Sequence, residues 1–209
     1  MMDKYPKIQT VFLRDPATRY KTLLMGQWAL PEFEYLAKNE WVWTEKIDGT
    51  NIRVDWDGER VTFAGRTDNA QTPTFLLTKL QEMFPVEVFM AEYPDLPMTL
   101  YGEGYGAKIQ KGGGNYISDG QSLILFDVMI SGNWQPRESM EDIAAHLRLD
   151  MVPIVGVGVL DDAIDVVQHG FQSGVGHCEA EGLVMRPKVD LMTRTGQRVI
   201  TKVKGRDFI

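Results

Sequence analysis

The chain has 209 residues, of which 44% are hydrophobic and 24% charged, which is the composition of an ordinary globular protein. Its single cysteine, Cys178, excludes an intrachain disulfide, and its net charge of −7 argues against a protein that coats nucleic acid nonspecifically. The longest apolar run, Met151 to Leu160, is too short to span a bilayer, and the opening residues lack an apolar signal core. We therefore expect a cytoplasmic protein with no membrane partner.

The first half of the chain reads as a helix, a hairpin and a second helix. Apolar spacing predicts a helix over Leu30 to Asn39, with Pro31 near its first turn. Residues 51–66 alternate apolar and polar around an Asp-Gly turn, which indicates a β-hairpin. A helix is expected over Thr72 to Phe84, with Thr72 as its cap.

The second half mixes strands and helices without regular alternation. Strands are predicted over 98–106 and 122–130, and a helix over 138–149 with Ser139 and Asp142 spaced as a capping box. A shorter helix should end at Gly170, and the last two strands are EGLVMRPK and RVITKVKG. This pattern predicts an α+β fold with mostly antiparallel sheets.

The segment EKIDGTN, from Glu45 to Asn51, places Lys46 two residues before Asp48 at the mouth of a turn. A lysine at a strand end is commonly a solvated charge, so this short pattern carries weight only with its neighbours. Four later segments add polar or aromatic groups in or beside strands: YGE with Glu103, LFDV with Phe126 and Asp127, EGLVMR with Glu181, and TKVK with Lys202 and Lys204.

Lys202 and Lys204 belong to one predicted strand, in which side chains alternate between two faces, so both lysines face the same way. Two ammonium groups this close repel each other unless an anion lies between them. From residue 181 onward seven Lys and Arg accompany three acids, a net charge of +4, which leaves −11 on residues 1–180. A basic end on an acidic body suggests a phosphate site, and a solvated hairpin is the alternative.

In this order, the segments resemble the collinear motifs of the covalent nucleotidyltransferases, the superfamily of polynucleotide ligases and messenger-RNA capping enzymes. EKIDGTN resembles the first motif with its nucleophilic lysine, YGE the third, LFDV the next, EGLVMR the fourth and TKVK the fifth. AGRTDN resembles the arginine element that follows the first motif. Within the superfamily, EKIDGTN followed by Arg66 is most similar to the ATP-dependent RNA ligases.

The resemblance implies an α+β nucleotidyltransferase domain, an ATP-grasp-like ligase fold in which mostly antiparallel sheets are flanked by helices, with the nucleotide pocket between the sheets. It implies that Lys46 attacks the α-phosphate of ATP, with Mg²⁺ or Mn²⁺, to form a lysyl-adenylate. The nucleotide then passes to an RNA 5′-phosphate, and a 3′-hydroxyl seals the strand as AMP leaves. The attack needs a neutral amine, which the metal ion and the co-facing lysines would favour.

The other motif residues take their roles from the same resemblance. Lys202 and Lys204 would act on the phosphates, and Glu181 would help to hold the metal ion. Glu103 would accept hydrogen bonds from ribose hydroxyls, and Phe126 would stack on adenine. The remaining nucleotide-binding candidates are Asp127, for which structural support is an equal alternative, and four residues near the first motif: Glu45, Asp48, Asn51 and Arg66, the last gripping ribose or a 5′-phosphate.

The sequence departs from the family pattern after the fifth motif. DNA ligases and capping enzymes continue with an oligonucleotide-binding barrel and RNA ligases with a C-terminal domain of their own, whereas five residues follow Lys204 here. We therefore expect a single adenylylation domain, residues 1–209, without an accessory domain. The expected partners are RNA ends, with a nicked duplex as one candidate form.

Three other functions are kept as alternatives. A lysine and Asp48 in K-x-D-G also suit a minimal ATP-dependent DNA ligase. A capping guanylyltransferase fits less well because a downstream domain is lacking. A non-sealing module that binds nucleotides or RNA ends would not need the nucleophile Lys46. Neither the choice between RNA and DNA nor the oligomeric state follows from the sequence.

Overall fold

The computed structural model describes residues 4–67 and 70–208. Asp68 and Asn69, the last two residues of the segment AGRTDN, lie outside the described residues. The chain divides into two compact units, each with its own sheet and hydrophobic core. Within the described ranges, unit 1 comprises residues 4–6 and 48–152, and unit 2 comprises residues 7–47 and 153–208.

Most of the regular structure consists of β-strands. The strands are β1 Gln9–Thr10, β2 Phe12–Arg14, β3 Leu23–Trp28, β4 Trp41–Glu45, β5 Thr50–Trp56, β6 Val61–Gly65, β7 Met98–Gly106, β8 Gln121–Ile130, β9 Asn133–Trp134, β10 Asp150–Met151, β11 Ile154–Gly158, β12 Gly182–Pro187 and β13 Thr201–Lys204. The α-helices are α1 Pro31–Leu36, α2 Thr74–Met83, α3 Val86–Glu92, α4 Arg137–Leu147 and α5 Leu160–His169. Short 3-10 turns cover Pro16–Thr18, Gly113–Asn115 and Gly205–Phe208. None of the helices within residues 4–67 and 70–208 combines the length and the apolar character of a membrane-spanning helix.

Unit 1 is built on a sheet of order β10-β8-β7-β5-β6, with β9 paired to β8. Its strands are antiparallel except for the short parallel pair β10 and β8. One face carries the apolar residues of β5 and β7, which pack with residues of α2, α3 and α4 in the core: Ile52, Val54, Trp56, Leu80, Phe89, Leu100 and Ile143. The other face of the same strands is therefore left for the polar residues that alternate with them.

A β-bulge interrupts the pairing of β7 with β8. Tyr101 pairs with Asp127 and Gly102 with Leu125, so Phe126 is an extra residue without an opposite partner. A bulge of this kind shifts the alternation of side chains along the strand. As a result Leu125 and Val128 both enter the core, while Asp127 belongs to the opposite, polar face.

Unit 2 is built on a sheet of order β1-β13-β12-β4-β11. All pairs are antiparallel except β1 and β13, and β2 pairs with β3 in a separate hairpin. One face of the sheet packs with α1, α5 and the β2–β3 hairpin through Trp41, Trp43, Leu183, Met185 and Val203. This arrangement leaves the opposite face of β4, β12 and β13 for the residues between those core positions.

These elements confirm the predicted α+β class, in which mostly antiparallel sheets are flanked by helices. The hairpin at 51–66 and the helix that ends at Gly170 are also as expected. Both predicted helix caps are wrong. The cap residues are Pro73 and Pro136, which enter α2 and α4 in extended conformation, so Thr72 lies before the cap and the Ser139–Asp142 pair lies inside the helix.

Candidate active site

Three adjacent strands of unit 2 bring Lys46 and Lys204 into one row. Gly182 pairs with Lys204 across β12 and β13, and on its other side the Lys46 N–H donates to the Gly182 carbonyl at 2.9 Å. Val203 and Leu183, next to this row, face the core. The two lysines therefore project from the face opposite the core and flank a residue without a side chain.

The Glu181 carboxylate lies between the two ammonium groups. Lys46 Nζ donates to Glu181 Oε2 and Lys204 Nζ donates to Glu181 Oε1, each at 2.5 Å. The Glu181 side chain is only 10% exposed. Burial on its own raises the pKa of this carboxyl, but the charges and hydrogen bonds of Lys46 and Lys204 outweigh burial and lower the pKa overall.

Gly182 makes this arrangement possible because a larger residue would not fit. Its φ is +155°, and a Cβ at this position would lie 2.1 Å from the Val203 carbonyl oxygen. The glycine thus lets the first residue of β12 lie close to β13, directly after Glu181. The glycine of the segment EGLVMR is therefore needed for the carboxylate to reach both lysines.

Two further cations lie in the same part of unit 2. Lys202 is on β13 at the position that pairs with Val184, two residues before Lys204 and on the same face, as the sequence predicts. Arg206 follows in the turn Gly205–Phe208, and its Nη2 lies 3.8 Å from Glu181 Oε1 with the side chain 71% exposed. Lys46, Lys204 and Arg206 thus all lie within 4 Å of the one Glu181 carboxylate, so positive charge exceeds negative charge within this cluster.

Glu45 points away from this face. It pairs with Leu183 and is 2% exposed. Its carboxylate accepts Ser173 Oγ at 2.5 Å and the Gly174 N–H at 2.9 Å. Glu45 therefore anchors the loop at Ser173 from the core side of β4, and its predicted place beside a nucleotide stays a prediction.

The remaining predicted site residues belong to unit 1. Asp48 and Gly49 form the turn that follows Lys46 in the chain, and Tyr116 Oη lies 3.3 Å from the Asp48 nitrogen, which donates to it. Gln110 Nε2 donates to the Gly49 carbonyl at 2.9 Å. A Cβ on Gly49 would come within 2.3 Å of the Gly104 carbonyl oxygen, so the glycine of K-x-D-G permits close contact with β7.

Asn51 and Glu103 lie opposite each other on β5 and β7, on the polar face of the unit 1 sheet. Glu103 is half-buried, and its Cγ packs close to Gly49. Asn51 Oδ1 is buried and accepts no hydrogen bond from the described residues. Arg66 follows β6 directly and is exposed. This group therefore has an acceptor and a cation available for a ligand.

Phe126 and Asp127 complete the polar face of unit 1. Asp127 is 1% exposed, and its Oδ2 accepts the Tyr5 hydroxyl at 2.7 Å. Phe126, at the bulge, is half-buried and meets the Tyr5 ring edge-to-face at 5.0 Å. Tyr101 and Trp134 also contact Tyr5 with their rings. The residue predicted to stack on adenine is thus held in an aromatic cluster outside the apolar core.

Comparison with known proteins bears on what these two groups of residues do. A sequence model of the family described as RNA ligase matches residues 39–204, which include all five motif segments. The chain belongs to the RNA ligase family.

Solved RNA ligases from Naegleria gruberi have the same fold as this member of the family. An arginine-to-alanine variant with ATP and manganese has a TM-score of 0.69 and 18% identity, over 97% of this chain and 56% of that one. A lysine-to-methionine variant with AMP and manganese gives 0.65 and 17%, over 96% and 57%. The form with pyrophosphate gives 0.63 and 18%, over 96% and 57%. The chain thus spans little more than half the length of these ligases.

Glu181 is the carboxylate that could hold a divalent cation in this RNA ligase family member. In the described residues no cluster of three or more His, Cys, Asp and Glu forms a dedicated metal cage. Magnesium commonly binds through one or two carboxylates together with substrate phosphates, so a cage is not required. A single buried carboxylate beside several positive charges fits that mode.

Several residues of these two groups could not be recognised from the sequence. Tyr5 lies far from Asp127 in sequence, and Ser173 far from Glu45, so only the fold brings each pair together. The sequence did contain an indication of Arg206, because this residue continues the basic spacing of Lys202 and Lys204. The alternation of strand residues could not place it, however, because Arg206 lies in the turn after β13.

Proposed function

We propose that the chain is an ATP-dependent RNA ligase that joins 3′-hydroxyl and 5′-phosphate ends through a lysyl-AMP intermediate on Lys46. The observation that carries this proposal is the Glu181 carboxylate held between Lys46 and Lys204. In it a primary amine lies next to a carboxylate that could hold a metal ion and next to a second cation, and this combination supports attack on a nucleotide phosphate.

In the first step the Lys46 amine attacks the α-phosphorus of ATP. The N–P bond forms as the bond to pyrophosphate breaks, and the nitrogen loses its proton to solvent. Because Lys46 donates to Glu181 in this structure, the amine has to leave that bond before it can reach phosphorus. The low pKa of Glu181 keeps this carboxylate ionised and argues against it as the final proton acceptor.

Lys202 and Lys204 would contact the phosphates of ATP. Their positive charges would stabilise the negative charge that develops as pyrophosphate leaves. A divalent cation, Mg²⁺ or Mn²⁺, bound at Glu181 would supply further positive charge beside the phosphates. The two lysines share one face of β13, so both can contact the same phosphate chain.

The residues of unit 1 would recognise the nucleoside. Glu103 would accept ribose hydroxyls, Phe126 would stack on adenine, and Arg66 would bind ribose or the 5′-phosphate. Asn51 offers the buried Oδ1 that accepts no bond from the described residues, a group that costs free energy until a ligand satisfies it. Asp48, Asp127 and Glu45 would shape the turn, the strand and the loop that support these contacts.

Sealing would proceed in two further steps. AMP moves from Lys46 to an RNA 5′-phosphate, and a 3′-hydroxyl then attacks that activated phosphate and releases AMP. RNA ends are the proposed partners, and a single adenylylation domain and a cytoplasmic location stay predictions from the sequence. DNA ends are the competing substrate, because Lys46 and Asp48 in K-x-D-G suit a DNA ligase equally well.

The test is incubation with α-labelled ATP or GTP and Mg²⁺ or Mn²⁺, followed by a denaturing gel. We expect acid-stable label from ATP on the wild-type chain, none on Lys46→Ala, and normal label on Lys38→Ala, whose exposed amine is paired with Asp161 instead. Sealing is then compared on matched RNA and DNA ends. Equal labelling by GTP would favour a capping enzyme, and label that survives on Lys46→Ala would reject the proposal.

A further inference from the structure

A buried carboxylate contacts the backbone of Lys204. The turn Gly205–Phe208 follows β13 without a break and carries Asp207. This residue is 1% exposed, and its Oδ2 accepts the backbone N–H of Lys204 at 3.0 Å. The side chain of Asp207 thus folds back on the strand end from which the Lys204 ammonium extends to Glu181.

The Asp207 bond fixes the backbone at the last residue of β13. Beyond Lys204 the paired strand β13 ends, and the Gly205 N–H donates to the Glu181 carbonyl at 3.1 Å. Strand ends with few bonds fray first. Because the Lys204 amine is carried on a long, flexible side chain, a small tilt of its backbone displaces the ammonium substantially.

Arg14 holds Asp207 from the other side. Its Nη2 donates to Asp207 Oδ1 at 2.9 Å, and its Nη1 donates to the carbonyls of Tyr20 and Lys21 at 3.1 and 3.3 Å. A buried carboxylate is costly without such a partner. The two oxygens of Asp207 therefore have different partners, since one binds the Lys204 backbone and the other binds Arg14.

We propose that Asp207 is a positioning residue for adenylylation, which keeps the Lys204 ammonium directed at Glu181 and at the phosphates that would bind there. Asp207 itself touches neither Glu181 nor Lys46 through its side chain. The inference rests on the proposed function. Displacing a catalytic group by about 1 Å can cost on the order of 10²-fold in rate, so a contact that acts only through the Lys204 backbone is able to change the rate.

The test separates the two oxygens of Asp207. Asp207→Ala removes both contacts. Arg14→Ala breaks the ion pair, together with the Arg14 bonds to the Tyr20 and Lys21 carbonyls, and leaves the Asp207 bond to the Lys204 N–H. Asp207→Asn keeps an amide oxygen that can accept the Lys204 N–H, and it also loses the ion pair. Asp55→Asn is the matched control in unit 1, because it alters another buried carboxylate, one that accepts Thr99 Oγ1.

For each variant we would measure the melting temperature, the half-saturating ATP concentration and the rate of lysyl-AMP formation at saturating ATP, well below every melting temperature. We expect Asp207→Ala to lose about 10–100-fold in rate while half-saturation changes less than about 3-fold. Arg14→Ala and Asp207→Asn should melt earlier yet stay within about 5-fold of the wild-type rate. Asp55→Asn should lower melting only.

Two results would overturn the inference. One is an Asp207→Ala rate equal to wild type. The other is a loss of rate in Arg14→Ala and Asp207→Asn as large as in Asp207→Ala, because the rate would then follow the stability of the turn rather than the Lys204 contact. If the wild-type chain takes no label at all, the proposed function fails first and takes this inference with it.

Discussion

The ammonium of Lys204 and the carboxylate of Glu181 form a 2.5 Å ion pair in which both side chains are about nine-tenths shielded from solvent, at 11% and 10% exposure. Lys46 shares the same carboxylate at 2.5 Å. One negative charge therefore serves two ammonium groups, and the excess positive charge makes this face of unit 2 suited to an anion. We expect that anion to be the phosphate chain of ATP.

Lys204→Ala should reduce the rate of lysyl-AMP formation by on the order of 10²–10³, because it removes a buried cation that would face the developing negative charge. Lys202→Ala, on the same face of β13, should reduce the rate in the same direction. The measurement is labelling by α-labelled ATP over time at fixed metal concentration.

The control for both variants is Lys188→Ala. Lys188 is an exposed lysine that directly follows β12, and its ammonium is paired with Glu40. This variant should label at the wild-type rate. If Lys202→Ala folds normally and is labelled at almost the wild-type rate, Lys202 does not contribute to phosphate binding, and only Lys204 on this strand still supports a phosphate site.

One part of the cluster of Lys46, Glu181, Lys202 and Lys204 follows from strand alternation, because alternation is a local rule. Lys202 and Lys204 share a face whatever the rest of the chain does. The bond between Glu181 and Lys46 spans 135 residues, so the sequence indicated it only through the family resemblance. The starts of α2 and α4 were predicted less well. The sequence indicated the hydroxyl residues Thr72 and Ser139 as N-caps, whereas Pro73 and Pro136 occupy the N-cap positions.

Position 45 shows where alternation and resemblance diverge. Glu45 neighbours the predicted nucleophile in sequence, but side chains of successive strand residues point to opposite faces. Glu45 therefore faces the core side, where Ser173 and Gly174 bind its carboxylate. Partners from so distant a loop leave no periodic signal in the sequence, and neither does the contact of Tyr5 with Asp127.

Stability should depend on pH through Glu181. Its folded-state pKa is lowered by Lys46 and Lys204, so this pairing stabilises the fold fully above the unfolded pKa, near 4.3, and the stabilisation is lost as pH falls through the folded pKa. Glu181→Gln lacks this titration. Urea unfolding between neutral and acidic pH should therefore show the wild type losing more free energy of unfolding than Glu181→Gln in that window, and equal losses would contradict the low pKa.

Gly182→Ala should destabilise the fold by roughly 3 kcal/mol or more, because it adds backbone strain to a clash with the Val203 carbonyl. Gly196→Ala is the matched control, since its φ is also positive, at +79°, but no atom lies within 4 Å of the added Cβ. That variant should lose only about 1–2 kcal/mol. Urea unfolding measures both, and similar losses would show that strain alone, without the clash, explains the glycine at 182.

Tyr5→Phe removes the hydroxyl that donates to the buried Asp127 while it keeps the ring contacts with Phe126, Tyr101 and Trp134. Hydrogen bonds to charged groups contribute about 1.5–3 kcal/mol, so the free energy of unfolding should fall by that amount. Tyr5→Ala should lose more, because the aromatic contacts go as well. If Tyr5→Phe unfolds at the wild-type urea concentration, the hydroxyl contributes nothing to stability.

The last prediction separates chemistry on Lys46 from sealing. An RNA end that already carries AMP does not need the lysine, so Lys46→Ala should seal pre-adenylylated RNA but not a plain 5′-phosphate end with ATP.

Sealing by the wild type should also fall steeply as salt rises, because a chain with a net charge of −7 must hold RNA through a small number of basic residues. The assay compares both kinds of end, on nicked duplex and on single strands, at low and moderate salt. Lys204→Ala serves as a reference that keeps the nucleophile, and it should be slowed most on the plain 5′-phosphate end, where ATP must first react. Failure of Lys46→Ala on both kinds of end, with the fold intact, would mean that this lysine also acts in the sealing step. Salt-independent sealing would mean that the RNA is held by contacts other than those of a small number of basic residues.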